Sequence, residues 1–346
     1  MNGTTQSAMH PASTRLLEAV LDLLWVQWTA VGVAGVRASE ASLVDPEALV
    51  VATAEFGRFD ARLFDEMLDW LVVNAARVDL VRLRRSIASA SDETPRVAAA
   101  MADFVAVHSG RRQWRTLVES PDAAPHSHTT RPATPLFQSG HGGSGWGEQD
   151  PVFLAHGFAR GPVVLRGMSQ IPDASLPACA RFRARGLTGI GARAEALTYL
   201  WTHEWSHGRL IAQRSLYAKT AVAQYLSDLA QLRLAARRES GRQVLYRLEP
   251  SLTAVGTPIA PYVDWAAAFR GLAHVWHRLQ TWPATGDVGH AEATGLVQAL
   301  IKATPDLAAE GFEYHLPEMR GWAKRGIEFP LGAVEDIARR IEDLTR

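Results

Sequence analysis

The chain has almost no cysteine, since Cys179 is the single one among 346 residues. One thiol cannot form an internal disulfide framework or a multi-cysteine metal site, and such scarcity is typical of proteins in a reducing compartment. The most apolar N-terminal stretch, residues 16–36, is interrupted by Glu18, Asp22 and Gln27, so it predicts a buried amphipathic helix and not a membrane or signal segment. Together these absences predict a cytoplasmic protein.

The chain also lacks an excess of charge of either sign, because 36 basic and 36 acidic residues give a formal net charge of zero. This balance argues against a uniformly basic nucleic-acid binder and against an acidic tail. The charges are nevertheless segregated: residues 181–250 hold 12 basic and 5 acidic side chains, whereas the segments before and after them are mildly acidic. Such a block indicates either one module that meets a polyanion or a solvated basic face.

Most of the chain has the sequence pattern of amphipathic helices. Apolar residues recur at spacings of three and four over residues 14–118, as in Phe64, Met67 and Leu68, and the pattern returns after residue 256. Asp45-Pro46 supplies a cap and a first-turn proline at one helix start. The sequence therefore predicts a mainly α fold.

Residues 121–150 are rich in Pro, Gly, Ser and Thr and show no periodicity, so they predict a flexible linker. Residues 140–145 in this segment match the G-x-G-x-x-G pattern of dinucleotide sites. That interpretation requires a strand before the motif and a helix after it. Neither is predicted here, so we expect no cofactor, and we expect the nearby His126, His128 and His141 to be solvated.

Residues 190–250 have a pattern of their own. Helical spacing predicts three helices, over residues 191–205, 207–215 and 218–232, with a tight turn between the second and the third. Two strands follow, and Ser240-Gly241 between them predicts a β-hairpin.

Three helices followed by a basic hairpin resemble the winged helix-turn-helix regulators of bacteria. The family usually has a small residue in the turn and Ser or Thr as the cap of the third helix, where this chain has Leu216 and Ala218. A missing cap costs a helix about 1 kcal/mol. More of the chain is similar to a group of uncharacterised bacterial helix-turn-helix proteins with a helical N-terminal part. The winged-helix resemblance rests on residues 210–235 and on apolar positions at Ala212, Val222, Leu226 and Leu229.

The resemblance implies which side chains would meet DNA. Outward residues of the third helix would reach base edges or nearby phosphates, and arginines of the second helix and the hairpin would contact the backbone. Since 33 of the 36 basic residues are arginine, only their grouping on one motif points to nucleic acid. The expected DNA-binding residues are Arg209, Arg214, Lys219, Thr220, Gln224, Ser227, Arg237, Arg238 and Arg242.

One motif favours a different function. Residues 203–207 read His-Glu-Trp-Ser-His and match the H-E-x-x-H pattern of zinc peptidases, which place both histidines on one helix. Here a predicted helix junction interrupts the motif, with Ser206 suited to cap the second helix. The extended pattern also fails, because Leu210 and Gln213 replace its glycine and third histidine. We therefore expect no metal site, and a zinc metallopeptidase through His203, Glu204 and His207 remains a remote alternative.

The sequence thus predicts a DNA-binding transcriptional regulator that is not an enzyme and acts as a homodimer, because half-sites in DNA mirror protein symmetry. The alternative is a protein-interaction module, antitoxin-like or defence-associated, whose winged helix does not bind DNA. The expected parts are a helical N-terminal domain (1–120), the linker (121–150), a mixed connecting segment (151–189), the winged helix (190–252) and a helical C-terminal region (253–346).

Overall fold

A computed structural model describes residues 9–35, 41–91, 93–117, 132–138, 147–250, 258–283, 288–307 and 321–345. The described chain is mainly helical with a small amount of sheet, which confirms the predicted fold class at that level. It divides into two compact units, one of residues 1–24 with 265–346 and a larger one of residues 25–264. None of the described helices combines the length and the apolar character needed to cross a membrane.

The helices of the larger unit begin largely at aspartate caps. The carboxylate of Asp45 accepts a hydrogen bond from the Ala48 amide at 3.1 Å, and Pro46 occupies the first helical position as predicted. Asp60, Asp79 and Asp150 cap three further helices in the same way. In chain order the helices up to residue 231 are α1 (Pro11–Ala30, which spans both units), α2 (Pro46–Phe56), α3 (Ala61–Asn74), α4 (Leu80–Ile87), α5 (Thr94–Ser109), α6 (Pro151–Ala155), α7 (Ala180–Thr188), α8 (Ala192–Thr202), α9 (Gly208–Arg214) and α10 (Lys219–Gln231).

Part of the predicted linker belongs to the packed core. Residues 121–131 and 139–146 lie outside the described residues, and with them the G-x-G-x-x-G match and the three loop histidines. Between them β1 (Thr134–Pro135) pairs in parallel with β2 (Phe158–Ala159), and Leu136 and Phe137 are buried. The stretch around β1 is therefore held in the larger unit.

A three-stranded antiparallel sheet lies within residues 206–248. It consists of β3 (Ser206–His207), β4 (Ala235–Ser240) and β5 (Gln243–Leu248) in the spatial order β3-β5-β4. Ser240 pairs with Gln243, so the turn of the hairpin is Gly241-Arg242, one residue later than predicted. Gly241 has φ +59°, a left-handed conformation that glycine adopts without steric cost.

The helices and the sheet of residues 192–248 share one apolar core. As the periodicity predicts, Val222, Leu226 and Leu229 of α10 are buried in it, together with Ile211 and Ala212 of α9. α8 is shorter than predicted and ends at Thr202, because the chain extends at residue 203 to form β3.

Both α9 and α10 end in a Schellman motif without the usual glycine. After α9, the Tyr217 amide donates to the Ala212 carbonyl at 3.0 Å, and Leu216 occupies the left-handed position with φ +58°. After α10, the Leu234 amide donates to Leu229 at 2.8 Å, and Arg233 has φ +58°. Glycine is preferred at this position because it has no Cβ. Leu216 therefore adopts the conformation that glycine usually has at this position, at some cost in strain.

A buried ionic cluster joins α2, α4, α7 and α8 inside the larger unit. Arg82 donates to both Asp45 and Glu47 at 2.6 Å. Every member is at most 6% exposed, and three guanidinium groups balance three carboxylates. Buried charges are tolerated only when they are paired in this way. The members are Asp45, Glu47, Arg82, Arg181, Arg185 and Glu195.

The same cluster connects the turn after α9 to α4. Arg82 Nε donates to the Ser215 carbonyl at 3.1 Å, and Arg85 donates to the carbonyl of Leu216. The Tyr217 hydroxyl donates to Asp79 at 2.6 Å. The segment 192–248 is therefore tied to the helices that precede it by one buried, one partly buried and one exposed hydrogen bond.

The smaller unit is helical in its described part. Gly271 allows close packing of two of its helices, because a Cβ there would lie 2.8 Å from Cγ of Leu307. Arg270 binds Asp306 through two hydrogen bonds of 3.0 and 2.8 Å. Besides the first part of α1, the described α-helices of this unit are α11 (Trp265–Gln280), α12 (His290–Leu307) and α13 (Glu328–Leu344).

Candidate nucleic-acid interface

The exposed face of α10 carries the side chains expected to read DNA. Lys219, Thr220 and Gln224 are exposed and Ser227 is partly exposed, whereas the apolar residues of the helix face the core. The helix has no side-chain cap, because Ala218 at the N-cap position cannot accept a hydrogen bond there. This confirms the missing cap, and it leaves amides of an exposed first turn available to an anionic partner.

Neighbours on the same helix restrict two of these side chains. Gln224 Nε2 donates to Asp228 Oδ1 at 2.8 Å, and Gln231 Nε2 donates to Ser227 Oγ at 3.4 Å. Asp228 is the one acidic residue of α10, and its carboxylate would repel a phosphate. Gln224 must turn away from Asp228 before its amide can pair with a base.

The β4–β5 hairpin exposes the three arginines predicted for it. Arg237, Arg238 and Arg242 are all exposed, with Arg242 in the turn itself. Arg237 lies 3.3 Å from Glu239 on the same strand, a surface ion pair that solvent screens. The other two arginines have no carboxylate partner among the described residues.

An indole that sequence reasoning missed holds one of these arginines in place. The guanidinium carbon of Arg238 lies 4.1 Å from the ring centroid of Trp205, and that of Arg247 lies 4.8 Å from it. Cation–π contacts of this kind are worth about 0.5–1 kcal/mol each at exposed sites. The only signal in the sequence is an aromatic residue just before β3, because the contacts arise from strand pairing.

The two arginines of α9 differ in exposure. Arg209 is exposed. Arg214 binds Asp264 at 2.8 Å with its side chain only 21% exposed, and its carbonyl oxygen lies 3.4 Å from the Tyr262 hydroxyl. Asp264 therefore neutralises the charge of Arg214 within the protein.

The H-E-x-x-H motif does not form the helix that a zincin requires. His203 follows the end of α8 in extended conformation, with φ −131° and ψ 135°, and His207 lies in β3. His207 Nδ1 accepts from the Leu210 amide at 3.0 Å, so His207 and not Ser206 caps α9, and the expected Ser206 cap is wrong. The two histidines thus lie on different elements.

His203 belongs to an aromatic cluster. Its ring stacks on Tyr199 with centroids 3.8 Å apart, and its Nδ1 donates to the Tyr199 carbonyl at 2.9 Å. Burial and the nearby Arg214 lower the pKa of His203, although the hydrogen bond opposes them. Within the described residues, no group of three or more His, Cys, Asp or Glu side chains is arranged to hold a metal ion.

Comparison with protein-family models, with curated proteins and with solved structures gives no match for this chain.

Proposed function

We propose that the chain is a DNA-binding regulator in which residues 192–248 form a winged helix. The observation that carries the proposal is the element order helix, strand, helix, helix, strand, strand with sheet order β3-β5-β4, combined with exposed basic residues on α10 and on the hairpin. A helix with one exposed face is suited to the major groove, and a basic hairpin that packs beside it is suited to the phosphate backbone.

Each exposed side chain then has a separate role. Lys219, Thr220, Gln224 and Ser227 on α10 contact base edges or nearby phosphates, because they lie on the solvent side of a helix whose other side is core. Arg209, Arg237, Arg238 and Arg242 bind phosphate oxygens, which supplies affinity and register but no sequence preference. Arg214 is left out of this interface because Asp264 neutralises it.

The protein acts as a homodimer in this proposal, since paired half-sites in DNA require two copies of the module. The alternative is a protein-interaction module in which the same surface binds a protein encoded nearby. Asp228 on α10 and Glu239 on β4 favour this alternative, because both place negative charge on the face that would meet DNA.

The test is a mobility-shift titration of the purified full chain on the DNA upstream of its own gene, with unrelated DNA of equal length as the control. We expect a shift at low salt whose affinity falls steeply as salt rises, because bound phosphates release counterions. Absence of any shift at low salt contradicts the proposal, and a protein that co-purifies without a DNA shift supports the alternative.

Two double variants separate base reading from phosphate binding. K219A/Q224A should bring the affinities for the two DNAs together, whereas R237Q/R238Q should weaken binding to both. Each lost phosphate contact should reduce the slope of log affinity against log salt by about 0.9. The matched control is R339Q/R340Q, which removes an adjacent exposed arginine pair from α13 and should change neither quantity. Equal effects of the two arginine pairs would contradict the assigned interface.

A further inference from the structure

A groove of about 390 Å³ lies between α11 and α12 of the smaller unit. Its size falls within the range of small-molecule sites. The residues that line it occupy one face of each helix, and none of those described is acidic. They are His274, His277 and Arg278 from α11, and Gly295, Gln298, Ala299 and Lys302 from α12.

Gly295 provides the space in which the Arg278 guanidinium lies. A Cβ at position 295 would lie 2.5 Å from Nε and 2.6 Å from Cζ of Arg278, so any side chain there would require the guanidinium to move. Glycine inside a helix costs about 1 kcal/mol relative to alanine. The helix thus contains a destabilising residue at the one place where it allows Arg278 to lie against the α12 backbone.

Two cations of the groove, Arg278 and Lys302, have no carboxylate partner within the part of the chain that the structure describes. Asp306 on α12 influences His274, but Arg270 already binds both oxygens of this carboxylate. Arg278 and Lys302 form no ion pair with any described residue. The described lining holds an arginine, a lysine and two histidines but no carboxylate, which suits it to an anion.

We propose that this groove binds a small phosphate ester. Arg278 would bind two phosphate oxygens with its fork, and Lys302 and His274 would supply further donors. Gln298 is placed to hydrogen-bond the hydroxyl groups of the ester, and Gly295 with Ala299 forms the apolar wall. The proposal is independent of the DNA-binding function proposed above.

The experiment is calorimetric titration of the full chain with inorganic phosphate and with sulfate, at ionic strength matched with chloride. We expect saturable binding of both anions, and competition of glucose 6-phosphate with phosphate for the same site. Titrations that show no saturable heat for either anion, or no competition, overturn the proposal.

Gly295→Ala tests the geometry while every charge is kept. The added methyl group should displace the flexible end of Arg278, so the protein should fold with unchanged or higher stability and bind phosphate about tenfold more weakly. R278Q should have an effect of similar size, and R339Q on α13 should have none. Unchanged phosphate affinity in G295A and R278Q overturns the assignment.

Sulfate allows the pH dependence of binding to be measured, because its charge does not change between pH 8 and pH 6. Burial and Lys302 lower the pKa of His274, a hydrogen bond to the Arg270 backbone and Asp306 raise it, and the Arg270 charge lowers it further. The net effect lowers the pKa of His274, and bound sulfate would favour its protonated form. With His277 and Arg278 also facing the site, sulfate affinity should rise as pH falls from 8 to 6. An affinity that is independent of pH in wild type would overturn this geometry.

DNA is also a source of phosphate, so a DNA titration of R278Q tests whether the groove binds DNA instead of a small ester. R278Q should leave DNA affinity and its salt dependence unchanged. A smaller salt slope in R278Q would assign the groove to the DNA-binding surface and overturn the proposal.

Discussion

At the scale of single residues, Arg233 is a strained position that the sequence pattern does not reveal. Its φ of +58° is the left-handed conformation, which disfavours residues with a Cβ, and the side chain is exposed. Leu216 has the same φ but is half-buried, so replacing it would also remove apolar contacts. Substitutions at Arg233 therefore measure the effect of backbone strain on stability without removing buried apolar contacts.

Arg233→Gly should raise the free energy of unfolding by about 0.5–1 kcal/mol, because glycine adopts the left-handed position without steric cost. Arg233→Ala, which removes the same charge but keeps the Cβ, is the control and should not stabilise. Chemical denaturation measures both values. A glycine variant no more stable than the alanine variant would contradict the strain argument.

Asp228 is the second residue whose effect can be isolated, because its carboxylate lies on α10 and accepts from Gln224. If α10 binds DNA, Asp228→Asn should raise affinity for every DNA sequence about threefold to tenfold, since it removes a repulsive charge near the phosphates. Anisotropy titrations at low and high salt measure this change, which should shrink at high salt. Weaker binding in D228N would indicate that the carboxylate helps recognition.

At the scale of elements, the helices of residues 192–248 were predictable because their signals are local. The spacing of Val222, Leu226 and Leu229 marks the buried face of α10, and it predicts the helix to within one residue at each end. β3 was not predictable, since two residues gain their structure only by pairing with β5 about forty residues later. The same pairing changes the helix end at residue 203 and replaces the expected cap.

For the candidate site, too, the sequence predicts the features that have local signals and misses those that depend on tertiary contacts. Sequence periodicity identifies the outward residues of α10, and the turn between two strands identifies the arginines of the hairpin. The sequence pattern does not identify Asp264 as the partner of Arg214, fifty residues away, or the contacts of Trp205 with two arginines. These contacts depend on tertiary packing, which leaves no periodic signal in the chain.

Trp205→Leu should therefore act on the hairpin as an element. Without the indole, Arg238 and Arg247 lose a contact worth about 0.5–1 kcal/mol each. If the hairpin binds DNA, affinity should therefore fall about threefold to tenfold for all sequences. Trp205→Phe keeps an aromatic face, so its DNA affinity should lie between that of wild type and that of the leucine variant. Anisotropy titration measures affinity, and circular dichroism checks that both variants fold. Wild-type affinity in the leucine variant would show that the arginines need no support.

At the scale of the larger unit, the buried ionic cluster links its helices to the segment 192–248. Burial alone would raise the pKa of Asp45, but Arg181 and Arg82 outweigh it and hold this pKa well below its ordinary value. Arg181, Arg82 and Arg185 likewise lower the pKa of Glu195 against its burial. Acids with lowered pKa values stabilise the fold above their unfolded pKa, and this contribution is lost as the pH falls below about 4. Burial raises the pKa of Glu47, which offsets part of that loss.

Breaking the cluster should destabilise the whole larger unit. Arg82→Met leaves an uncompensated buried carboxylate and should cost about 3–5 kcal/mol. Glu195→Gln should also destabilise, but R82M/E195Q should cost less than the sum of the singles, because Arg82 and Glu195 lie 3.5 Å apart and their loss restores neutrality. Urea unfolding at pH 7 measures the cycle. Additive effects would show that the two groups are energetically independent.

The Arg82 and Tyr217 contacts also bear on how such a protein can arise and be rebuilt. A fragment limited to residues 190–252 would carry Glu195 without its arginines and Tyr217 without Asp79. Recombination that moves this segment into another gene would therefore transfer one carboxylate of the six-membered cluster without any of its arginines. Grafting the segment elsewhere requires new partners for Glu195 and Tyr217.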